Sequence, residues 1–158
     1  MSLRQRIPAY SSYAFTISYG AEEFTKLGEI LRQIVKENDE SKREYMWGAA
    51  AAFVDPGNST EKKGPSPVLD ALLKMVLMAT GMLSSPNYTG PPFELLIARF
   101  YVNELAFSTR EITAAMRERN ASRAYAAWEF GRDSFNSYLS VINRAIVPKV
   151  GDKFELIS

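Results

Sequence analysis

The chain of 158 residues contains neither histidine nor cysteine, and those two absences decide most of the chemistry open to it. No Ser-His-Asp triad, thiol nucleophile, disulfide or zinc site of the Cys/His kind can be built from it. A carboxylate di-metal centre in a helical bundle needs Glu-x-x-His pairs and is closed for the same reason. Carboxylates, Lys, Tyr and Ser remain. The acidic pairs Glu22 with Glu23 and Asp39 with Glu40 are adjacent in the chain, so on a helix they point to different faces and read as solvated charge. Asp55, Asn58 and Glu61 miss the spacing of an EF-hand loop, which argues against calcium. The expectation is a protein that is not an enzyme, with no metal and no cofactor.

The residues left to do something are those that recognise a partner. Arg110, Arg117, Arg119, Arg123, Arg132 and Arg144 all lie late in the chain, opposed by Glu111, Glu118, Glu129 and Asp133. Most of that is surface pairing of small energetic value. Arg117, Arg119 and Arg123 nevertheless crowd one turn with only Glu118 among them, which suits an acidic partner. Lys149, Lys153 and Phe154 lie in an apolar tail, and Tyr10, Tyr13 and Phe15 in an aromatic N-terminal stretch. The tail either folds back on its own domain or docks on a partner, and the N-terminal stretch poses the same choice. These nine residues form the expected docking set.

Composition fits one ordinary domain: 46% hydrophobic, 23% charged, 19 basic against 18 acidic side chains. A chain of this length buries roughly 70% of its unfolded surface and needs no staple. A net charge of +1 argues against nucleic acid, whose affinity comes from neutralising phosphates. The most apolar stretch, Val68 to Leu83, is shorter than the ~20 residues of a bilayer-spanning helix and carries Asp70 and Lys74. No acid precedes Glu22, whereas Arg4, Arg6 and several serines do. That bias fits either an unstructured arm or the processed edge of an organelle transit peptide.

The elements that must position these residues are helices. The first is expected after Gly20, with Phe24, Leu27, Leu31, Ile34 and Val35 on one face. It should kink or break near Asn38 and Asp39 and resume through Tyr45, Met46, Ala49, Ala50 and Phe53. Residues 55–66 read as a loop. A second helix starts with Ser66 as cap and Pro67 at its first position, and its nearly all-round apolar surface predicts the most buried element. A third runs from Phe93 through Phe107 to about Glu118, unless Ser108 and Glu111 form a capping box that opens a new helix. The fourth spans Ala121 to Ile146 and stops before Pro148. The segment Tyr10 to Tyr19 alternates like a strand but has no partner strand. The reading is an all-α, up-down-up-down four-helix bundle over 21–147, with an extended arm over 1–20 and an extended tail over 148–158.

Asn103 to Ile146 (NELAFSTREITAAMRERNASRAYAAWEFGRDSFNSYLSVINRAI) resembles the C-terminal helix pair of PsbQ-type extrinsic subunits of photosystem II. Leu105 and Ile112 precede an Ala114-Ala115 pair, a short charged turn follows, and Ala124, Tyr125, Phe135, Tyr138 and Leu139 come after it. The nearest likeness is to the four-helix extrinsic subunit of diatoms and related algae with red-lineage plastids. The likeness covers the C-terminal third in sequence and the rest in helix order. It implies a non-catalytic thylakoid-lumen protein of the chloroplast, peripheral to the membrane, that docks on the photosystem II core and its other extrinsic subunits. There it would help retain calcium and chloride and support oxygen evolution. The competing reading from the residues alone is a helical adaptor of cytosol or stroma that binds another protein.

Overall fold

The structure is a computed structural model that describes residues 3–58, 64–84 and 92–158. The expectations for the middles of the two loops, Glu61 included, lie outside the described residues. The fold is all-helical: α1 Leu3–Lys36, α2 Glu40–Val54, α3 Pro67–Leu83, α4 Phe93–Arg117 and α5 Ala121–Asn143, with a short 3₁₀ turn at Pro56–Asn58. Among the described residues there is no strand.

The N-terminal end is the largest departure from the sequence reading. Residues 3–20 are not an extended arm; they are the first half of α1, and no boundary falls at Gly20. Ala9, Ala14, Ile17, Gly20, Phe24, Leu27, Leu31 and Ile34 are all buried on this helix, a single stripe of helical spacing. The apparent alternation of Tyr10 to Tyr19 comes from β-branched and aromatic side chains that also satisfy the helical period, and packing against α3 decides between the two. Gly81 of α3 meets Ala9, and Gly20 meets Ala71, with no room for a further methyl at either glycine. Those two contacts set α1 and α3 antiparallel at close range. Pro8 lies inside α1, near the exposed end, where the backbone bond it removes is least missed.

The break falls where the sequence placed it. Asp39 caps α2, its Oδ1 accepting from Ser41 N (2.9 Å) and Lys42 N (3.1 Å), so α1 and α2 are two helices. Ser66 caps α3 by accepting from Leu69 N at 3.2 Å, and its hydroxyl donates to Phe53 O at the end of α2. One buried serine thus starts one helix and ties it to another. Asn120 accepts from Arg123 N at 3.1 Å and opens α5. α4 runs unbroken through Ser108, whose hydroxyl instead donates to Ala127 O at 2.7 Å.

The core is pinned by polar groups reaching helix carbonyls. Trp128 Nε1 donates to Phe24 O (2.7 Å) and Tyr138 Oη to Met75 O (2.7 Å), both fully inside. The Trp128 indole lies over Gly28, where a Cβ would overlap the ring, and stacks on Phe24 at 5.6 Å between centroids.

α3 is not the most buried element. Leu69, Leu73, Val76 and Leu77 are exposed on one side while Val68, Ala71, Met75, Met78, Ala79 and Met82 are buried on the other. An all-round apolar composition cannot say which side the chain itself covers.

The tail folds back on its own domain. α5 ends at Asn143, three residues sooner than expected, and the chain returns extended along α5 and α1. Asn143 exchanges a pair of bonds with Phe154 (Nδ2 to O at 3.0 Å, backbone N to Oδ1 at 2.8 Å). Asn136 does the same with Ile157, both at 2.7 Å. Seven helical residues advance ~10.5 Å and three extended residues ~10 Å, so two amides two turns apart serve the tail as a strand partner would. Val150, Phe154 and Ile157 are thereby buried in the main hydrophobic cluster.

Candidate docking surfaces

The three arginines of the tip do come together, at the turn between α4 and α5, but none is left without an acid. Arg117 makes a two-pronged pair with Asp55 (Nε to Oδ2 3.1 Å, Nη2 to Oδ1 3.2 Å). Arg119 grips Glu44 in the same way (3.1 and 2.6 Å) and lies 5.8 Å from the Trp47 ring centre. Arg123 bridges Glu118 at 2.6 Å and Glu111 at 2.8 Å. Hydrogen bonding from Arg119 holds the Glu44 carboxyl below its ordinary range, and the carboxylates hold Arg119 and Arg123 more firmly protonated. Arg119 adopts a φ of 57°, the left-handed region that usually ends a helix with glycine. Its Nη1 donates back to Met116 O at 2.6 Å, so the side chain holds the conformation its backbone resists. Local carboxylates, two of them far away in sequence on α2 and after it, use up the patch that the sequence offered to an acidic partner.

The six terminal residues divide. Tyr10 donates to Asp152 O at 2.8 Å and packs on Phe154. Tyr13 packs half-buried against the core, and Lys153 donates to Asn143 O at 2.6 Å. Phe154, expected to dock on a partner, is buried in its own domain, a correction that follows from the Asn143 bonds. Phe15 stays 81% exposed and stacks on Tyr19 at 6.4 Å. Lys149 is exposed as well. A hydrogen bond with Glu23 raises the Tyr19 hydroxyl above its ordinary range, and burial does the same to Tyr138. Neither phenol is set up to give or take a proton near neutrality.

The surface the sequence reading missed lies across α3 and α4. Leu69, Leu73, Val76 and Leu77 form an outer stripe on α3, and Phe93, Leu96, Phe100 and Phe107 one on α4. Leu73 is 56% exposed and Phe93 73%. Arg99 Nη2 on α4 meets Thr80 Oγ1 on α3 at 3.4 Å, placing the two helices side by side. Phe107 meets Phe130 of α5 edge to face at 6.4 Å, extending the apolar surface to a third helix. Scattered apolar side chains are ordinary on a monomer, whereas rows at helical spacing on two neighbouring helices make a candidate contact surface. The signal was legible: α3 carries apolar side chains on two sides, and the core of the domain covers only one of them.

Among the described residues no three acids gather in a way that could hold a metal ion, and no helix is long and apolar enough to cross a membrane. A trough of about 490 Å³ between α2 and the end of α4 is floored by Gly48 and Ala51 and walled by Trp47 and Met116. Of the four alanines after Gly48 only Ala51 reaches this trough, while Ala50 is fully buried. No protein-family model, curated protein or solved structure matches the chain.

Proposed function

We propose that this protein is a non-catalytic extrinsic subunit that docks on the lumenal side of photosystem II in the thylakoid lumen of the chloroplast, stabilising the oxygen-evolving centre and its ions. On this reading α1, α3, α4 and α5 form an up-down-up-down four-helix bundle, and α2 is an addition packed beside α1 and the end of α4. Two things support it: the resemblance of Asn103 to Ile146 to PsbQ-type subunits, and a surface made for contact rather than for reaction. The observation that carries it is the pair of exposed apolar rows on the neighbouring helices α3 and α4, Leu69, Leu73, Val76 and Leu77 on one and Phe93, Leu96 and Phe100 on the other, on a chain with no histidine or cysteine. Its partners are the photosystem II core and the neighbouring extrinsic subunits.

The test is fractionation. At low ionic strength the protein should sediment with thylakoid membranes, and a wash with urea, which weakens apolar contacts, should release it. Recovery as a free protein at low ionic strength would reject the extrinsic subunit in favour of the helical adaptor, which the same apolar face would equally serve.

A further inference from the structure

The outer side of α4 carries a finer pattern than apolarity alone. Phe93, Leu96, Phe100, Asn103 and Phe107 are all exposed, and they follow one another at intervals of three, four, three and four residues. Strict alternation of three and four is the 3.5-residue repeat of a coiled-coil seam, which a second helix lying nearly alongside fills knobs into holes. A short seam ordinarily fails because the helix itself must first be formed. Here the opposite side of α4, with Leu95, Ala98, Val102, Leu105 and Ile112, is buried in the domain, so the helix stands ready before any partner arrives.

The polar residues of the row identify the second helix. Asn103 interrupts the seam once, and a single asparagine in a seam pairs best with another at the same level, which fixes register. A parallel second copy of α4 supplies that asparagine. The flanking charges agree. Arg99 and Glu104 stand five residues apart on opposite sides of the row. In a parallel pair, the position of Arg99 faces the residue five further along the other helix, so Arg99 of each copy meets Glu104 of the other, twice by symmetry. An antiparallel pair instead sets the Arg99 sides together and the Glu104 sides together, and joins no opposite charges. Among the described residues Glu104 takes no ion pair, and Arg99 makes only its 3.4 Å bond to Thr80 Oγ1, which uses one of its five N–H groups. A net charge of +1 per chain sets no long-range repulsion against pairing. We propose that two copies of the chain pair through α4, parallel and two-fold, with Asn103 against Asn103 and Arg99 against Glu104 on both sides. The exposed area of Phe93, Leu96, Phe100 and Phe107 equals about two whole aromatic side chains, roughly 400 Å² a copy. That is small for a protein interface, so the pairing is weak and reversible. It leaves the α3 row open and does not rest on the photosystem II reading.

Sedimentation equilibrium of the full chain tests this. Wild type should pass from monomer to dimer with a Kd on the order of 50 µM, as suits so small an apolar contact. Phe100→Glu should weaken pairing more than about tenfold, whereas Leu73→Glu, on the α3 row, should pair like wild type. Charge exchange separates a second copy from any other occupant of the row. Arg99→Glu alone and Glu104→Arg alone should each pair about tenfold more weakly, and an equimolar mixture of the two should recover wild-type affinity, since both cross-pairs are then complementary again. These two variants keep the test decisive if Phe100→Glu disturbs folding. A wild-type chain still monomeric at about 0.5 mM, tenfold above that Kd, would overturn the proposal. So would pairing that survives Phe100→Glu or is lost in Leu73→Glu, or charge variants that stay apart when mixed. None of these measurements involves a membrane, so the docking proposed above stands or falls separately.

Discussion

The groove between α1 and α5 and the outer face of α3 and α4 start from similar material, and the chain treats them in opposite ways. Over the groove it lays its own tail, with Val150, Phe154 and Ile157 buried and the Asn136 and Asn143 amides satisfying the extended backbone. Over the α3–α4 face, the described residues lay nothing. The difference lies in polar groups rather than in apolar area. An extended segment can be covered only where something bonds its N–H and C=O groups. α5 supplies two asparagines at the spacing of the tail, whereas the α3 stripe supplies leucine, valine and Thr80 alone. A surface with no amides to receive a strand suits a flat apolar partner, which brings its own satisfied backbone. The groove thus carries stability, and the face is where the proposed docking would fall.

Changes to the groove should cost stability. Removing Val150 to Ser158 should lower Tm by more than ~10 °C, since burying three large apolar side chains is worth on the order of 5 kcal/mol. Calorimetry that found Tm unchanged would return the tail to the partner and erase the comparison. Next in size is Gly28→Ala, which drives a methyl into the Trp128 ring and should cost ~1–3 kcal/mol; denaturant unfolding measures it. Asn143→Ala removes the reciprocal bonds to Phe154 and should cost about 2 kcal/mol, read the same way. An equal loss from Asn143→Asp would leave the pairing confirmed, because an ionised carboxylate cannot donate to Phe154 O.

The smallest effect concerns the tip. Arg119 holds the folded-state carboxyl of Glu44 below its ordinary value of 4.5, so the pair's contribution is present above that value and is lost as pH falls through the lowered one. Glu44→Gln should remove this part of the acid dependence and leave stability at neutral pH little changed. Acid titrations of the two proteins followed by circular dichroism should converge at low pH. A difference that grows on acidification would reverse the sign.

The start of α3 was legible because its cap is local: Ser66 before Pro67 acts within three residues, and the sequence carries it whole. The breaks before α2 and α5 were legible as well, and the structure adds that Asp39 and Asn120 cap the helices that follow them. The continuity of α4 past Ser108 was legible for a related reason, since no residue there breaks the helical period. The N-terminal half of α1 was hidden because Tyr10 to Tyr19 satisfies two periods, and only Gly20, Ala71 and Gly81, brought together from distant positions, select the helix. The tip arginines misled because Asp55 and Glu44, the acids that occupy Arg117 and Arg119, lie 62 and 75 residues away.

On the proposed reading the α3–α4 face, and not the termini, meets the partner. That is tested most directly by rebinding the double variant Leu73→Glu, Leu77→Glu to urea-washed thylakoid membranes beside wild type. Both leucines are exposed, so the variant should unfold within about 0.5 kcal/mol of wild type while losing most of its rebinding. A variant that folds normally and rebinds as well as wild type would contradict the account.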